Sequence, residues 1–135
     1  RLSIEGNAKL YTLFRSAERS KSHGEVFTPS SLVCDMLADL PREVWQEGET
    51  FCDPSCGNGQ FLAAVVIAKY WCGHKRPLET IYGVDILEDN VAECKQRLRR
   101  LAFFNYPDMS EVDDILNRNI VCHDALTYHY RFDGT

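Results

Sequence analysis

The chain has 135 residues, 44% of them hydrophobic and 26% charged, which is enough for one domain with a real core. Basic and polar residues interrupt every apolar run before the roughly 18 residues a membrane helix requires, so no membrane association is expected. A net charge of −5 gives no overall attraction for nucleic acid, so any DNA contact must be local or come from a partner rather than from this domain alone.

Arg1 stands where Met would begin a chain and no apolar segment follows it, which reads as a trimmed or incomplete start rather than a secretory one. From 1 to 23 the residues are polar, with Leu10, Leu13 and Phe14 at helical spacing, and predict a short N-terminal helix and linker. From 24 to 135 a single domain is expected. Gly24 and Pro29 mark a loop, Ser30 or Ser31 can cap, and Leu32, Met36, Leu37 and Leu40 recur as a helix until Pro41.

"ETFCDP" is short, apolar and stopped by Pro54, as a buried strand would be. A glycine turn follows, and then "FLAAVVIAKYW", apolar almost all round like a helix packed on a sheet. Gly73 and Pro77 break the chain before "TIYGVDI", a β-rich run ending in Asp85. Val91, Cys94, Leu98 and Leu101 stripe the next helix. Its basic stretch, Lys95 to Arg100, falls where that helix ends and reads as a solvated terminus suiting the dipole. "SEVDDILNR" predicts one more short helix, and "NIVCHDAL" a third strand ending at Asp124.

Strands alternating with helices specify a parallel sheet with right-handed crossovers, here an α/β three-layer domain. Asp53, Asp85 and Asp124 each close a strand, and the carboxyl ends of such strands line the ligand crevice. The cysteines at 34, 52, 56, 72, 94 and 122 lie inside element-like stretches. They read as small buried hydrophobes in a reducing cytoplasm, not as a disulfide framework, and without paired C-x-x-C spacing no metal is expected.

The turn Asp53-Pro54-Ser55-Cys56-Gly57-Asn58-Gly59-Gln60-Phe61 bears on the ligand class. Glycines here serve any tight strand-to-helix turn, so the turn alone is weak. A triphosphate loop would continue Gly-Lys-Ser/Thr, but Gln60 and Phe61 follow. A dinucleotide pyrophosphate would meet the negative charge of Asp53. S-adenosylmethionine has no phosphate and carries an ammonium, a carboxylate and ribose hydroxyls. Asp53 can pair the ammonium, the Gly57-Asn58-Gly59 amides can meet the carboxylate, and Asp85 can accept the ribose hydroxyls. Asp124 can accept from the adenine amine or cap a turn, with Ile86 and Ala125 as apolar contacts to the ring.

Together these residues resemble the cofactor-binding part of the N6-adenine DNA methyltransferases, in the order Phe27-Thr28-Pro29, then Asp53-Pro54 through Phe61, then Asp85, then Asp124-Ala125-Leu126. The resemblance spans 24 to 126 and implies a Rossmann-like methyltransferase fold binding S-adenosylmethionine, DNA methylation and a restriction-modification setting. It assigns Phe27, Thr28 and Pro29 to the methionine end of the cofactor and Pro54 to the turn.

The family's Asn/Asp-Pro-Pro-aromatic motif, which holds the flipped adenine, has no match, so no catalytic residue is assigned and the fold reads as truncated after its third strand. Phe132-Asp133 resembles the approach to that missing strand. Three readings follow: a fragment of a longer enzyme, a non-catalytic module that senses cofactor or scaffolds a partner, and a nucleotide-linked oxidoreductase domain. An open sheet edge calls for self-association or a covering partner protein.

Overall fold

The computed structural model describes residues 30–103 and 105–134. The expected N-terminal helix, the linker and the Phe27-Thr28-Pro29 segment lie outside the described residues.

Helix α1 (Ser30–Ala38) buries Leu37 and stops short of the expected Leu40, because Pro41 disfavours helical backbone in the residue before it. A 3-10 turn, Arg42–Trp45, places the buried Trp45 against Phe51, ring centroids 5.2 Å apart. Strand β1 (Phe51–Asp53) leads through the glycine turn into α2 (Gln60–Trp71), whose residues from Leu62 to Lys69 are all buried. Strand β2 (Ile81–Asp85) follows a second 3-10 turn, Pro77–Thr80. Helix α3 (Glu88–Arg99) has Glu88 and Asp89 in its first turn and Arg97 and Arg99 in its last, the order its dipole favours. Helix α4 (Met109–Asn119) is capped by the Asp108 carboxylate, which accepts from Glu111 N at 2.9 Å, and runs directly into β3 (Ile120–Cys122).

The sheet is parallel in the order β1-β2-β3, with Phe51 opposite Ile81, Gly83 opposite Ile120 and Asp85 opposite Cys122. Side chains alternate along strands, so Phe51, Ile81, Gly83 and Ile120 share one face. Phe51, Ile81 and Ile120 join Leu37, Leu62, Leu98, Val112 and Leu116 in a single core. Right-handed crossovers that step in one direction put their helices on the same side, and a second helical layer requires the strand order to reverse. Among the described residues, therefore, the third layer is not helical. The far face carries exposed Cys52, half-buried Tyr82 and Val121, and fully buried Val84. The segment after β3 returns to it, with the Phe132 ring 4.7 Å from Tyr82.

Three sequence expectations change. Cys52, Cys72 and Cys122 are exposed, and among the described cysteines only Cys56 and Cys94 are buried. The third strand ends at Cys122, two residues before Asp124. His123 N still donates to Asp85 O at 2.9 Å, but the Asp124 carboxylate then accepts from Leu126 N at 2.9 Å and turns the chain. The basic stretch at the end of α3 is not uniformly solvated either, since Arg97 is buried. Its position on the helix faces the glycine turn rather than water.

At the amino ends of the strands a polar cluster is closed by internal bonds. The fully buried Lys69 ammonium donates to Glu49 O at 2.6 Å and to Thr80 Oγ1 at 2.5 Å. Burial lowers its pKa to about 8, against the opposing charge of Glu49. Tyr106 Oη accepts from Leu78 N at 3.0 Å, and Asn119 Nδ2 donates to Leu78 O at 3.3 Å. No described helix is long and apolar enough to cross a membrane.

Candidate functional site at the carboxyl ends of the strands

The site begins with the backbone of the first turn. Gly57 and Gly59 have φ of 54° and 86°, left-handed values that favour glycine. At Gly59 a second constraint applies: a Cβ would stand 2.7 Å from Cys94 Sγ and 3.1 Å from Cys94 Cα, so α3 packs where a side chain would be. Gly83 in β2 is similarly required, as a Cβ there would meet Leu62 Cδ1 at 2.8 Å and Cys56 Cβ at 3.0 Å. Close packing of turn, sheet and helix thus uses these glycines before any ligand is considered.

Long-range hydrogen bonds then hold the turn in place. Cys56 N donates to Val84 O at 2.9 Å, Gly57 N to Asp85 Oδ2 at 2.9 Å, and Gly59 N to Cys56 O at 2.9 Å. From behind, Arg97 Nε donates to Asn58 O at 3.1 Å, while its Nη2 lies 3.8 Å from Glu93. Sequence reasoning missed Arg97 as part of the site. Its signal was present, since α3 carries Cys94 and Leu98 in its apolar stripe and Arg97 sits beside both.

Asp85 does more than close a strand. Oδ2 takes the Gly57 amide, while Oδ1 accepts from Leu87 N at 2.9 Å and from Asn90 Nδ2 at 3.4 Å, joining the first turn to the second. The carboxylate is therefore a structural clamp as well as a candidate acceptor for hydroxyls. Asp53 is less engaged, with Oδ1 accepting from Ser55 N at 3.0 Å. Burial raises its pKa, the Ser55 amide opposes the rise, and the neighbouring Asp85 charge adds to it. Two carboxylates thus lie near one another at adjacent strand ends, the arrangement that a cationic group relieves.

Buried polar atoms around them lack partners. Asn58 is 1% exposed, yet neither Oδ1 nor Nδ2 is hydrogen-bonded, and Gln60 Oε1 and Asn90 Oδ1 are also unpaired. Such atoms are uncommon in folded proteins, where buried polar groups are paired by protein or ordered water. The amides of Gly57 and Gly59, by contrast, are already bonded within the protein.

The third strand end stands apart. Asp124 is exposed, and its bond to Leu126 N makes it the cap of a local turn, one of the two roles open to it from sequence. Ala125 is half-buried and its carbonyl accepts from Tyr130 Oη at 2.8 Å. Ile86 is 66% exposed, and Pro54 is exposed as well. Asp53, Pro54, Gly57, Asn58, Gly59 and Asp85 are thus brought together, with Ile86 beside them. No three His, Cys, Asp or Glu side chains among the described residues gather in a metal-binding group.

A family model described as N-6 DNA Methylase matches residues 4–105, which takes in the first two strand ends but stops before Asp124. The Type II methyltransferase M.VspI from Vibrio sp. (strain 343) is 32% identical over 97 residues, covering 72% of this chain. The chain spans about a fifth of that relative's length, 22%. No solved structure matches.

Proposed function

The chain belongs to the N-6 DNA methylase family, and on that premise we propose that it carries the S-adenosylmethionine-binding part of an N6-adenine DNA methyltransferase. The observation that carries the reading is the half-buried Asp53 carboxylate, its pKa raised, beside Asp85 and the unpaired Asn58 amide. That donor set suits a ligand with a cationic amine, a carboxylate and hydroxyls, and it disfavours a pyrophosphate, which would face two acids. The nucleotide-linked oxidoreductase reading is weaker for the same reason.

In this reading Asp53 holds the ammonium, the Asn58 amide meets the carboxylate, and Asp85 accepts ribose hydroxyls while keeping the two turns joined. Ile86 covers the purine ring, and Ala125 and Asp124 lie at its far side. Phe27, Thr28 and Pro29 would close over the methionine end. The cofactor supplies an electrophilic methyl group on a sulfonium. The 135 residues contain no two adjacent prolines, so the motif that would hold an adenine amine is not among them. The holding of the target adenine and the transfer step are therefore assigned to segments or partners outside this chain, and the β1 edge is where such a strand would add. The thiols Cys52, Cys56, Cys72, Cys94 and Cys122, all unpaired, suit the cytoplasm.

Calorimetric titration with S-adenosylhomocysteine tests the assignment. Asp53→Asn should weaken binding by about tenfold or more, the scale of one lost charged hydrogen bond. In the wild type, affinity should fall as acid protonates Asp53, at a pH above the ordinary aspartate range because its folded pKa is raised. Asp53→Asn should lose that pH dependence. Binding of a nicotinamide dinucleotide but not of S-adenosylhomocysteine would overturn the reading.

A further inference from the structure

Beyond β3 the chain folds into a small site whose residues belong to none of the groups assigned above. A cavity of about 270 Å³ is lined by His123, Tyr128, His129 and Arg131. In a chain of net charge −5 the described residues of the cavity lining include no carboxylate, and supply one permanent cation, two imidazoles and a phenol. From sequence His123 reads as a partly exposed strand-end histidine and His129 as a loop residue, because nothing in their spacing shows that they share a cavity.

The geometry keeps these groups available. Tyr128 Oη accepts from Phe132 N at 2.9 Å, which leaves its own proton free to donate into the cavity. The His123 ring lies against Tyr128 with centroids 5.0 Å apart, fixing its plane. The rings of Tyr128, Tyr130 and Phe132 pack on one another at 5.2 to 6.1 Å, and Phe132 anchors the group on Tyr82 of the sheet. His129 and Arg131 alternate with those rings along the chain.

The backbone is held in an unusual form to achieve this. Tyr130 and Phe132 have φ of 55° and 50°, left-handed values that cost bulky residues about 1–3 kcal/mol each. They flank Arg131 on both sides. Strain of that kind persists where packing over-determines it, and it concentrates at ligand sites.

We propose that this cavity binds a phosphoryl group. Arg131 supplies a fixed planar donor fork, His129 and His123 supply ring N–H donors, and Tyr128 supplies a hydroxyl, a donor set matched to phosphate oxygens. The volume lies just below that of drug-sized ligand sites, which run roughly 300–1,000 Å³, so it suits a single phosphate with part of its sugar. The exposed Tyr130 ring beside it offers a stacking face for a base. That chemistry is common to a nucleic-acid backbone and to a free mononucleotide.

Fluorescence anisotropy of a labelled DNA oligonucleotide with the 135-residue chain at low salt reads the site, with adenosine monophosphate and inorganic phosphate as competitors. Arg131→Gln should weaken binding by about tenfold and His129→Gln by less, while Arg42→Gln, on the 3-10 turn near the other end of the sheet, should not change it. Displacement by the monophosphate or by inorganic phosphate at concentrations near their own affinities would identify a free phosphoryl ligand. Displacement by unlabelled oligonucleotide alone would identify the backbone. S-adenosylhomocysteine affinity should be unaltered in Arg131→Gln, so loss of one reading leaves the other standing. Oligonucleotide affinity unchanged in Arg131→Gln, or no binding in any arm, would overturn the proposal.

Discussion

The two ends of the sheet are built from similar residue types and finished differently. At the amino ends, Lys69, His74, Tyr106 and Asn119 are buried polar groups with a hydrogen bond each or more, although nearby Trp45 Nε1 is unpaired. At the carboxyl ends, both polar atoms of Asn58, Gln60 Oε1 and Asn90 Oδ1 are buried without partners, and two carboxylates stand close together. A closed network rigidifies the fold, whereas an incomplete one is costly unless something else completes it. The contrast is what marks the carboxyl ends as the candidate site.

The strongest way to break the comparison is at the hinge of the incomplete end. Gly59→Ala puts a Cβ into left-handed backbone and against Cys94, and should cost about 3 kcal/mol in a urea titration. A cost below ~1 kcal/mol would mean that the turn is held loosely and can reshape freely.

At the closed end, Lys69→Met should cost about 1–2 kcal/mol near pH 7, because Glu49 O and Thr80 Oγ1 lose their buried donor while the apolar stem is kept. The pH profile sharpens this. Lys69 titrates at about 8 when folded and at its ordinary 10.5 when unfolded. Between those values the unfolded chain retains a proton that the folded chain has shed, so stability should rise with pH across that window. That rise should be absent in Lys69→Met.

The smallest stability effect is expected at Asn58. Asn58→Leu removes a buried amide that has no partner, so the change should lie within about 1 kcal/mol and can be favourable. S-adenosylhomocysteine binding should nonetheless fall. A large loss of stability would show that the amide is satisfied internally and that the two ends do not differ as described.

Much of this was legible in the chain. Short apolar runs ending in Asp53 and Asp85, separated by helical stripes, predicted the parallel β-α-β order, because strand and helix periodicities are local properties of sequence. Asp124 was placed two residues too far along its strand, since an aspartate that captures its own downstream amide looks the same in sequence as one that ends a ladder. The basic stretch at the end of α3 concealed Arg97 for a related reason. Composition shows that charges cluster, but only the direction of the helix shows which one turns inward to Asn58 O.

The sequence by itself determined the family and the parallel β-α-β order. Glycines beside an acid, with no lysine after them, disfavour a triphosphate loop, because charge and side-chain volume are carried by the residues. Tertiary structure decided the rest. That Asp85 clamps two turns, that Asn58 lies buried and unpaired, and that His123, His129 and Arg131 share one cavity all depend on residues far apart in the chain or on how a turn aims them. No local pattern encodes that direction.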